Sequence, residues 1–224
     1  LEEKDAISLL QQEPLMAVAG VAARKKTGET VSGDAGTYFK RHDGKLYLLL
    51  CDGMGSGPEA NRESALAVRL LEQFLQAGVE TEHALLTLNA ALALRGETGF
   101  TTVDLLQVDL FTGESMLYKF GAAPTYVKKG NQVRKLTGTS LPAGLDGGEQ
   151  VRPDKTPLKL EPGDCVLMVS DGIVGAGDDL WLRERLAQFD GRSPKELAAS
   201  LITQSPEGAT DDRTALAVKI GKRT

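Results

Sequence analysis

Residues 46–57 read LYLLLCDGMGSG, an apolar run that ends in the carboxylate of Asp52 and is followed by three glycines at alternate positions. Because the run is short and glycines follow it, we predict a buried strand rather than a helix. An ionised Asp52 at the end of such a strand is costly unless the carboxylate is paired or binds a metal. Ser56 and Glu59 have the spacing of a capping box around Pro58, which predicts that a helix begins here.

A second apolar run with the same ending lies at residues 164–172, DCVLMVSDG, and its carboxylate is Asp171. A single Asp-Gly pair is more typical of an ordinary turn. Two such pairs at the ends of buried strands favour one shared acidic site. The sequence therefore predicts that Asp52 and Asp171 lie together in the fold.

Composition limits the function classes. The 224-residue chain has a net charge of −5 and no basic run, so nucleic-acid binding is not expected. No apolar stretch is long enough to cross a bilayer and no signal peptide is found, so we predict no membrane contact by this fragment and a cytoplasmic location. A membrane anchor of a longer parent protein would lie outside it. Cys51 and Cys165 fall inside apolar runs and are predicted to be buried, unpaired thiols.

The order of the predicted elements defines the fold class. Residues 1–13 are polar and predict an N-terminal linker or regulatory helix, and residues 14–224 predict one domain. Helices are predicted in consecutive pairs, and strands mainly in hairpins, which argues against a parallel, doubly wound sheet. We predict an α+β fold, an αββα sandwich of two mainly antiparallel sheets flanked by helix pairs. The predicted helices are 58–77, 81–94, 179–189 and 193–204, and the predicted strands are 16–23, 38–39, 46–51, 102–110, 114–120, 125–128, 132–136, 156–160, 165–169 and 214–220.

Several carboxylates stand at predicted bends next to Gly, Ser or Thr. Each alone is more typical of a cap or a turn. Together they form a donor set of oxygen atoms without histidine or thiolate, which selects Mg²⁺ or Mn²⁺ over softer metals. The backbone carbonyl of Gly53 is a further candidate ligand. The carboxylates are Asp34, Asp52, Asp171 and the adjacent Asp211 and Asp212.

Four acidic motifs resemble, in their order, those of the PP2C-type metal-dependent protein phosphatases: SGD at 32–34, DGMG at 52–55, SDG at 170–172 and DDRT at 211–214. The match is closest to the phosphatase domain of the stage II sporulation protein E family. The motifs TTVDL at 101–105, KFGAAP at 119–124 and LPAG at 141–144 support it. The resemblance covers residues 14–220.

The resemblance implies a fold, a cofactor and a reaction. It implies an αββα sandwich that binds two Mn²⁺ or Mg²⁺ ions and hydrolyses phosphoserine or phosphothreonine in a protein through a water that bridges the ions. Asp52 would bridge both ions beside the Gly53 carbonyl, and Asp34, Asp171 and Asp211 would complete the ligand set. Asp52 and Asp171 would thus be catalytic. The implied substrate is a phosphorylated anti-anti-sigma factor in sporulation, and a homodimer is a further expectation.

The acidic motifs contain one adjacent pair of carboxylates, Asp211 and Asp212, and one departure from the family, Met54. Asp211 and Asp212 are adjacent, so on an extended chain their side chains point in opposite directions and only one readily reaches the ions. The family motif favours Asp211 as the ligand and leaves Asp212 to cap or to form a salt bridge. Many eukaryotic relatives have a histidine, thought to act as an acid, where this chain has Met54.

The residues that would bind phosphate are not evident from the sequence. The phosphate-binding arginine of the family has no clear counterpart. Arg24, Lys25 and Lys26 lie in a suitable region, but a solvated charge cluster fits them equally well.

One alternative to a phosphatase is a non-catalytic metal-binding regulatory or interaction module with the same fold, which the complete acid set disfavours. The other is a phospho-accepting aspartate module, which the predicted hairpins disfavour. The glycines after Asp52 match no nucleotide-binding spacing.

Overall fold

A computed structural model describes residues 11–96, 99–145, 151–175, 178–190, 192–204 and 211–223. The strands in these ranges are β1 (Leu15–Arg24), β2 (Asp34–Lys40), β3 (Lys45–Asp52), β4 (Val103–Asp109), β5 (Glu114–Phe120), β6 (Thr125–Lys129), β7 (Gln132–Leu136), β8 (Asp154–Lys159), β9 (Cys165–Val169) and β10 (Arg213–Lys222). The helices are α1 (Gly57–Gln76), α2 (Thr81–Ala93), α3 (Asp171–Val174), α4 (Leu180–Ala187) and α5 (Pro194–Gln204).

The strands form two five-stranded sheets that stack face to face. Sheet A has the order β1-β10-β9-β6-β7, and sheet B has the order β2-β3-β4-β5-β8. Every pairing between these strands is antiparallel. Helices α1 and α2 cover the outer face of sheet B, and α4 and α5 cover the outer face of sheet A. The predicted α+β fold, an αββα sandwich, is therefore confirmed.

Strand β3 is apolar from Leu46 to Cys51, and both of its faces are buried over these residues. Leu46, Leu48 and Leu50 pack between the two sheets. The intervening residues Tyr47, Leu49 and Cys51 pack beneath α1 and α2. Side chains alternate along a strand, so Asp52 continues the series that faces the space between the sheets. The carboxylate thus stands where the apolar interior ends and the sandwich opens.

The capping box predicted at Ser56 and Glu59 is wrong, because a residue distant in the chain bonds to the Ser56 hydroxyl instead. The Ser56 hydroxyl does not cap α1; it donates a 3.1 Å hydrogen bond to Oε1 of Glu29, which reaches the start of α1 from the loop after β1. Helix α2 is capped by Glu80, whose carboxylate accepts the His83 N–H at 2.9 Å, and Thr81 is already inside the helix.

The polar turn at residues 161–164 does not close a hairpin. It connects β8 in sheet B to β9 in sheet A, so consecutive strands change layers there. The short helix α3 was not predicted, because it has too few residues to show a periodic apolar pattern. The predicted thiols are confirmed: Cys51 and Cys165 are free and buried.

The predicted linker or helix at residues 1–13 lies mostly outside the described residues, which begin at Gln11. Glu13 is buried and forms ion pairs with Nζ of Lys40 at 2.6 Å and with Arg223 at 3.3 Å. These contacts join the end of β2 to the end of β10, opposite the end where Asp52 lies. Within the described ranges, no helix combines the length and the apolar character that crossing a membrane requires.

Candidate active site

Both sheets contribute carboxylates to one end of the sandwich. Asp34 begins β2 and Asp52 ends β3, and the strand register places the two residues opposite each other. From sheet A, Asp171 follows β9 and Asp211 precedes β10. A pocket of about 280 Å³ opens between them, and its lining residues are Asp52, Gly53, Met54, Gly55, Phe100, Thr101, Thr102, Pro142, Asp171 and Asp211.

The glycines of the Asp52-Gly53 and Asp171-Gly172 pairs are required by close approach of another backbone. A Cβ atom at Gly53 would overlap the main chain of Ala60 in α1. A Cβ atom at Gly172 would overlap the carbonyl oxygen of Asp212. The two glycines therefore let α1 and the start of β10 pack directly against the ends of β3 and β9, which brings the carboxylates of the two sheets to the same pocket.

Two threonines fix the main chain of Asp52. Thr102 Oγ1 accepts a hydrogen bond from the Asp52 N–H at 3.0 Å, and the Thr102 N–H donates to the Asp52 carbonyl at 2.9 Å. The Thr101 hydroxyl donates to the same carbonyl at 2.7 Å. The carboxylate of Asp52 is thereby held toward the pocket. Sequence reasoning missed this role, although the Thr-Thr pair immediately before a strand was a visible signal.

Asp34 lies behind Asp52 and is 7% exposed. Both of its carboxylate oxygens are buried, and no described residue makes a hydrogen bond to either of them. Burial raises the pKa of Asp34, which the nearby hydroxyls of Thr214 and Ser170 lower only in part. A buried carboxylate without partners is unfavourable, so the two oxygens fit a cation.

The carboxylates at the pocket crowd one another. Burial, followed by the negative charges of Asp34 and Asp171, raises the pKa of Asp52. Burial, followed by the charge of Asp211, raises the pKa of Asp171. Such mutual repulsion would be relieved by divalent cations, and the donors are all oxygen atoms. Among the described residues, no three His, Cys, Asp or Glu side chains are already close enough together to enclose one ion.

Asp212 makes contacts of a different kind. Its Oδ1 accepts the Lys26 N–H at 2.8 Å and its Oδ2 accepts the Gly33 N–H at 2.7 Å. The side chain, 2% exposed, thus holds the loop that leads into Asp34. Such contacts are those of a capping residue. The role of Asp211 in binding metal stays a prediction, as does the whole ligand set.

The basic residues that could bind phosphate do not line this pocket. Arg24 is exposed at the end of β1, and the Lys25 ammonium group bonds to the carbonyl of Glu29. The contact of Lys26 with Asp212 is made by the backbone N–H of Lys26. The predicted basic cluster therefore does not line the pocket of Asp52, Asp171 and Asp211.

We expect Asp211→Asn and Asp212→Asn to have different effects. Asp211→Asn should weaken Mn²⁺ binding and leave the metal-free fold intact, because Asp211 faces the pocket. Asp212→Asn should lower the free energy of unfolding by about 1–3 kcal/mol, because one buried N–H loses its acceptor. Calorimetric titration with Mn²⁺ and urea unfolding of the metal-free variants measure the two effects. A greater loss of Mn²⁺ affinity in Asp212→Asn would reverse the assignment.

The raised pKa values predict how stability depends on pH. The folded protein holds protons at Asp34, Asp52 and Asp171 more tightly than the unfolded chain does. Their contribution to the stability of the metal-free protein should therefore fall as the pH rises above about 4, the ordinary Asp range. Asp52→Asn should make this fall smaller, as measured by urea unfolding at several pH values in EDTA. An unchanged pH dependence in the variant would contradict the inferred repulsion among these buried carboxylates.

The fold and the acidic strand ends on two stacked sheets define the PP2C-type phosphatase class. The catalytic domain of the serine threonine protein phosphatase PstP, solved in complex with two manganese ions, shares this fold. Its TM-score is 0.75 at 18% identity, and the match covers 93% of this chain and 100% of that one.

Sequence comparison narrows the class to a family. Residues 42–221 match the family model of stage II sporulation protein E, SpoIIE. SpoIIE of Priestia megaterium is 30% identical over 215 residues, or 92% of this chain and 36% of that protein. The structure of the PP2C phosphatase domain of SpoIIE from Bacillus subtilis, with a fragment of its regulatory domain, has a TM-score of 0.85 at 30% identity and covers 94% of this chain and 63% of that one. The chain belongs to the SpoIIE family, and it spans about a third of the length of the Priestia protein.

Proposed function

We propose that this chain is the catalytic region of a metal-dependent serine/threonine protein phosphatase. The observation that carries the proposal is the pocket between the sheets, which Asp52 of sheet B shares with Asp171 and Asp211 of sheet A. The buried, unpartnered carboxylate of Asp34 behind Asp52 adds to it. Membership of the SpoIIE family supports the same activity.

The proposed cofactor is a pair of Mn²⁺ or Mg²⁺ ions. Asp34, Asp52 and the Gly53 carbonyl would hold them from sheet B, and Asp171 and Asp211 from the side of sheet A. The oxygen-only donor set supports this assignment, as do the two manganese ions of the PstP structure. When bound, such ions make water more acidic and stabilise charge on the phosphoryl oxygens.

Residues around the pocket would hold the metal ligands in place, and no cysteine would compete as a nucleophile. Thr101 and Thr102 hold the main chain of Asp52, and the apolar Phe100 and Pro142 line another part of the pocket. A cysteine nucleophile is not expected, because burial raises the pKa of both thiols and keeps them protonated. In the proposed reaction, water would attack phosphorus directly, without a covalent enzyme intermediate.

The proposed substrate is a phosphorylated protein, and an anti-anti-sigma factor in sporulation is the specific candidate that the family suggests. A homodimer is the proposed assembly. The two free, buried cysteines favour a cytoplasmic location for this region, with any membrane anchor in another part of a longer protein. We also propose that residues 14–224 form the phosphatase domain and that residues 1–13 link it to a regulatory region.

Hydrolysis of a chromogenic phosphate ester tests the proposal, with Mn²⁺ and with excess EDTA. We expect turnover that requires Mn²⁺ and stops in EDTA. Full activity in EDTA would contradict a metal-dependent reaction. The second candidate is a non-catalytic metal-binding module; the observation in its favour is that Met54, which lines the pocket, cannot donate a proton to a leaving group. Mn²⁺ binding by calorimetry without turnover on the ester or on a phosphoserine protein would support this module instead.

A further inference from the structure

An ionic cluster is buried between the sheets and has no role in the proposed chemistry. Nζ of Lys119 lies 2.8 Å from Oδ2 of Asp104 and donates to the Thr125 hydroxyl at 2.9 Å. The Thr125 hydroxyl in turn donates to Oδ2 of Asp104 at 2.5 Å. The Lys119 and Asp104 side chains are each 2% exposed. A buried ion pair is commonly no more stabilising than apolar residues of the same volume, so fold stability alone does not account for it.

The cluster joins one sheet to the other. Asp104 in β4 and Lys119 in β5 are direct partners within sheet B. Thr125 belongs to β6 of sheet A. Asp104 also lies opposite Leu50 of β3, two residues before Asp52. The contact between the sheets therefore lies two residues farther into the interior along β3 than Asp52, the carboxylate at the pocket.

The main chain around the cluster continues into the walls of the pocket. Asp104 is two residues after Thr102, which holds the main chain of Asp52. The carbonyl of Lys119 accepts the Ser140 hydroxyl at 2.7 Å, and Ser140 stands two residues before Pro142 of the lining. A change in the position of Asp104 or Lys119 would therefore move two walls of the pocket.

Unpartnered polar atoms concentrate in the same region. In the part of the chain that the structure describes, five buried side-chain polar atoms lack a hydrogen bond. Four of the five belong to Asp34, Asp104 and Thr214, at or next to the acidic end of the sandwich. This end keeps polar groups buried at an energetic cost, which is typical of a region arranged for function rather than for packing.

We propose that Asp104, Lys119 and Thr125 are positioning residues that set the distance between the two sheets at the acidic end. That distance fixes how far the carboxylate of Asp52 lies from those of Asp171 and Asp211. The inference rests on the proposed function in that carboxylates of both sheets must reach the same cations. The cluster would thus control metal affinity without touching metal or substrate.

Thr125→Val tests the proposal because it removes only the hydroxyl that reaches from sheet A to Asp104 and Lys119 of sheet B, and it keeps the side-chain shape. We expect it to weaken Mn²⁺ binding by about tenfold, the lower end of what loss of a residue that supports metal ligands costs. Thr125→Ser, which retains the hydroxyl, should bind Mn²⁺ as the wild type does. If Thr125→Val does not fold, the double variant Asp104→Leu with Lys119→Met provides the same test, because both charges are replaced together.

Glu13→Gln is the matched control, because Glu13 also joins the two sheets by ion pairs but at the opposite end. We expect this variant to lose stability and to keep the Mn²⁺ affinity of the wild type. Wild-type affinity in Thr125→Val would overturn the proposal, and so would an equal loss of affinity in Glu13→Gln.

Hydrogen exchange measured on the metal-free protein separates this inference from the proposed function. The N–H groups of Asp52 and Thr214 bond to hydroxyls at the acidic end, at 3.0 Å and 2.8 Å. In metal-free protein, both should exchange hydrogen faster in Thr125→Val than in the wild type or in Glu13→Gln. Faster exchange in a protein that binds no Mn²⁺ would support the positioning role while refuting the phosphatase. Unchanged exchange would count against the positioning role.

Discussion

Asp52→Ala is expected to lower the turnover number for phosphate ester hydrolysis by at least about a thousandfold. Asp52 stands beside both Asp34 and Asp171. Its loss should remove several kcal/mol of transition-state stabilisation, and about 4 kcal/mol corresponds to a thousandfold. The measurement is initial rates with saturating Mn²⁺.

The stability of the same variant distinguishes loss of the site from loss of the fold. Burial and neighbouring charges raise the pKa of Asp52, so its ionised form is unfavourable in the folded protein. Metal-free Asp52→Ala should therefore be at least as stable near neutral pH as the metal-free wild type. Asp43→Ala, at the hairpin turn between β2 and β3, is the control and should keep normal turnover. An active Asp52→Ala variant would refute the assignment of Asp52.

The second large effect concerns the leaving group. Met54 lines the pocket and is 64% exposed, but a thioether cannot donate a proton. A general acid usually contributes about 10²–10⁴-fold to such a reaction. Without one, charge builds on the departing oxygen, so the wild-type rate should depend steeply on the leaving-group pKa across aryl phosphates. Met54→His should flatten that dependence by accelerating the esters with the poorest leaving groups.

The native histidines provide the control for this prediction. His42 lies in the turn after β2 and His83 in the first turn of α2, and neither lines the pocket. His83→Ala should therefore leave the slope of rate against leaving-group pKa unchanged. A shallow slope in the wild type, with chemistry shown to limit the rate, would mean that the enzyme contains an acid other than the residues named above.

The sandwich was predictable because the composition of its strands indicates which of their faces are buried. Strand β3 is apolar on both faces, and the Asp-Gly pairs at 52–53 and 171–172 mark the points where buried strands end. Those two features place Asp52 and Asp171 at strand ends before any coordinates are known. The order of hairpins and helix pairs then excludes a parallel sheet, and the layered architecture follows.

Contacts between distant segments were not predictable in the same way. Glu29 displaces the local cap at Ser56 from a position 27 residues earlier in the chain, and spacing within the helix cannot show that. The Lys119 and Thr125 side chains meet because β5 and β6 lie in different sheets, whereas a polar residue in a strand usually predicts a solvent-facing side. The turn at 161–164 has ordinary turn chemistry, and only the pairing of β8 with β5 reveals that it connects two layers.

In the proposed active site, carboxylates of two sheets share divalent cations at one pocket. The most direct measurement is an anomalous difference map from crystals of this chain grown with Mn²⁺, recorded at the manganese absorption edge. We expect two peaks in the pocket, both next to the Asp52 carboxylate, with Asp171 and Asp211 reaching them from sheet A. Peaks that avoid Asp52, or an empty pocket in crystals saturated with Mn²⁺, would contradict the account.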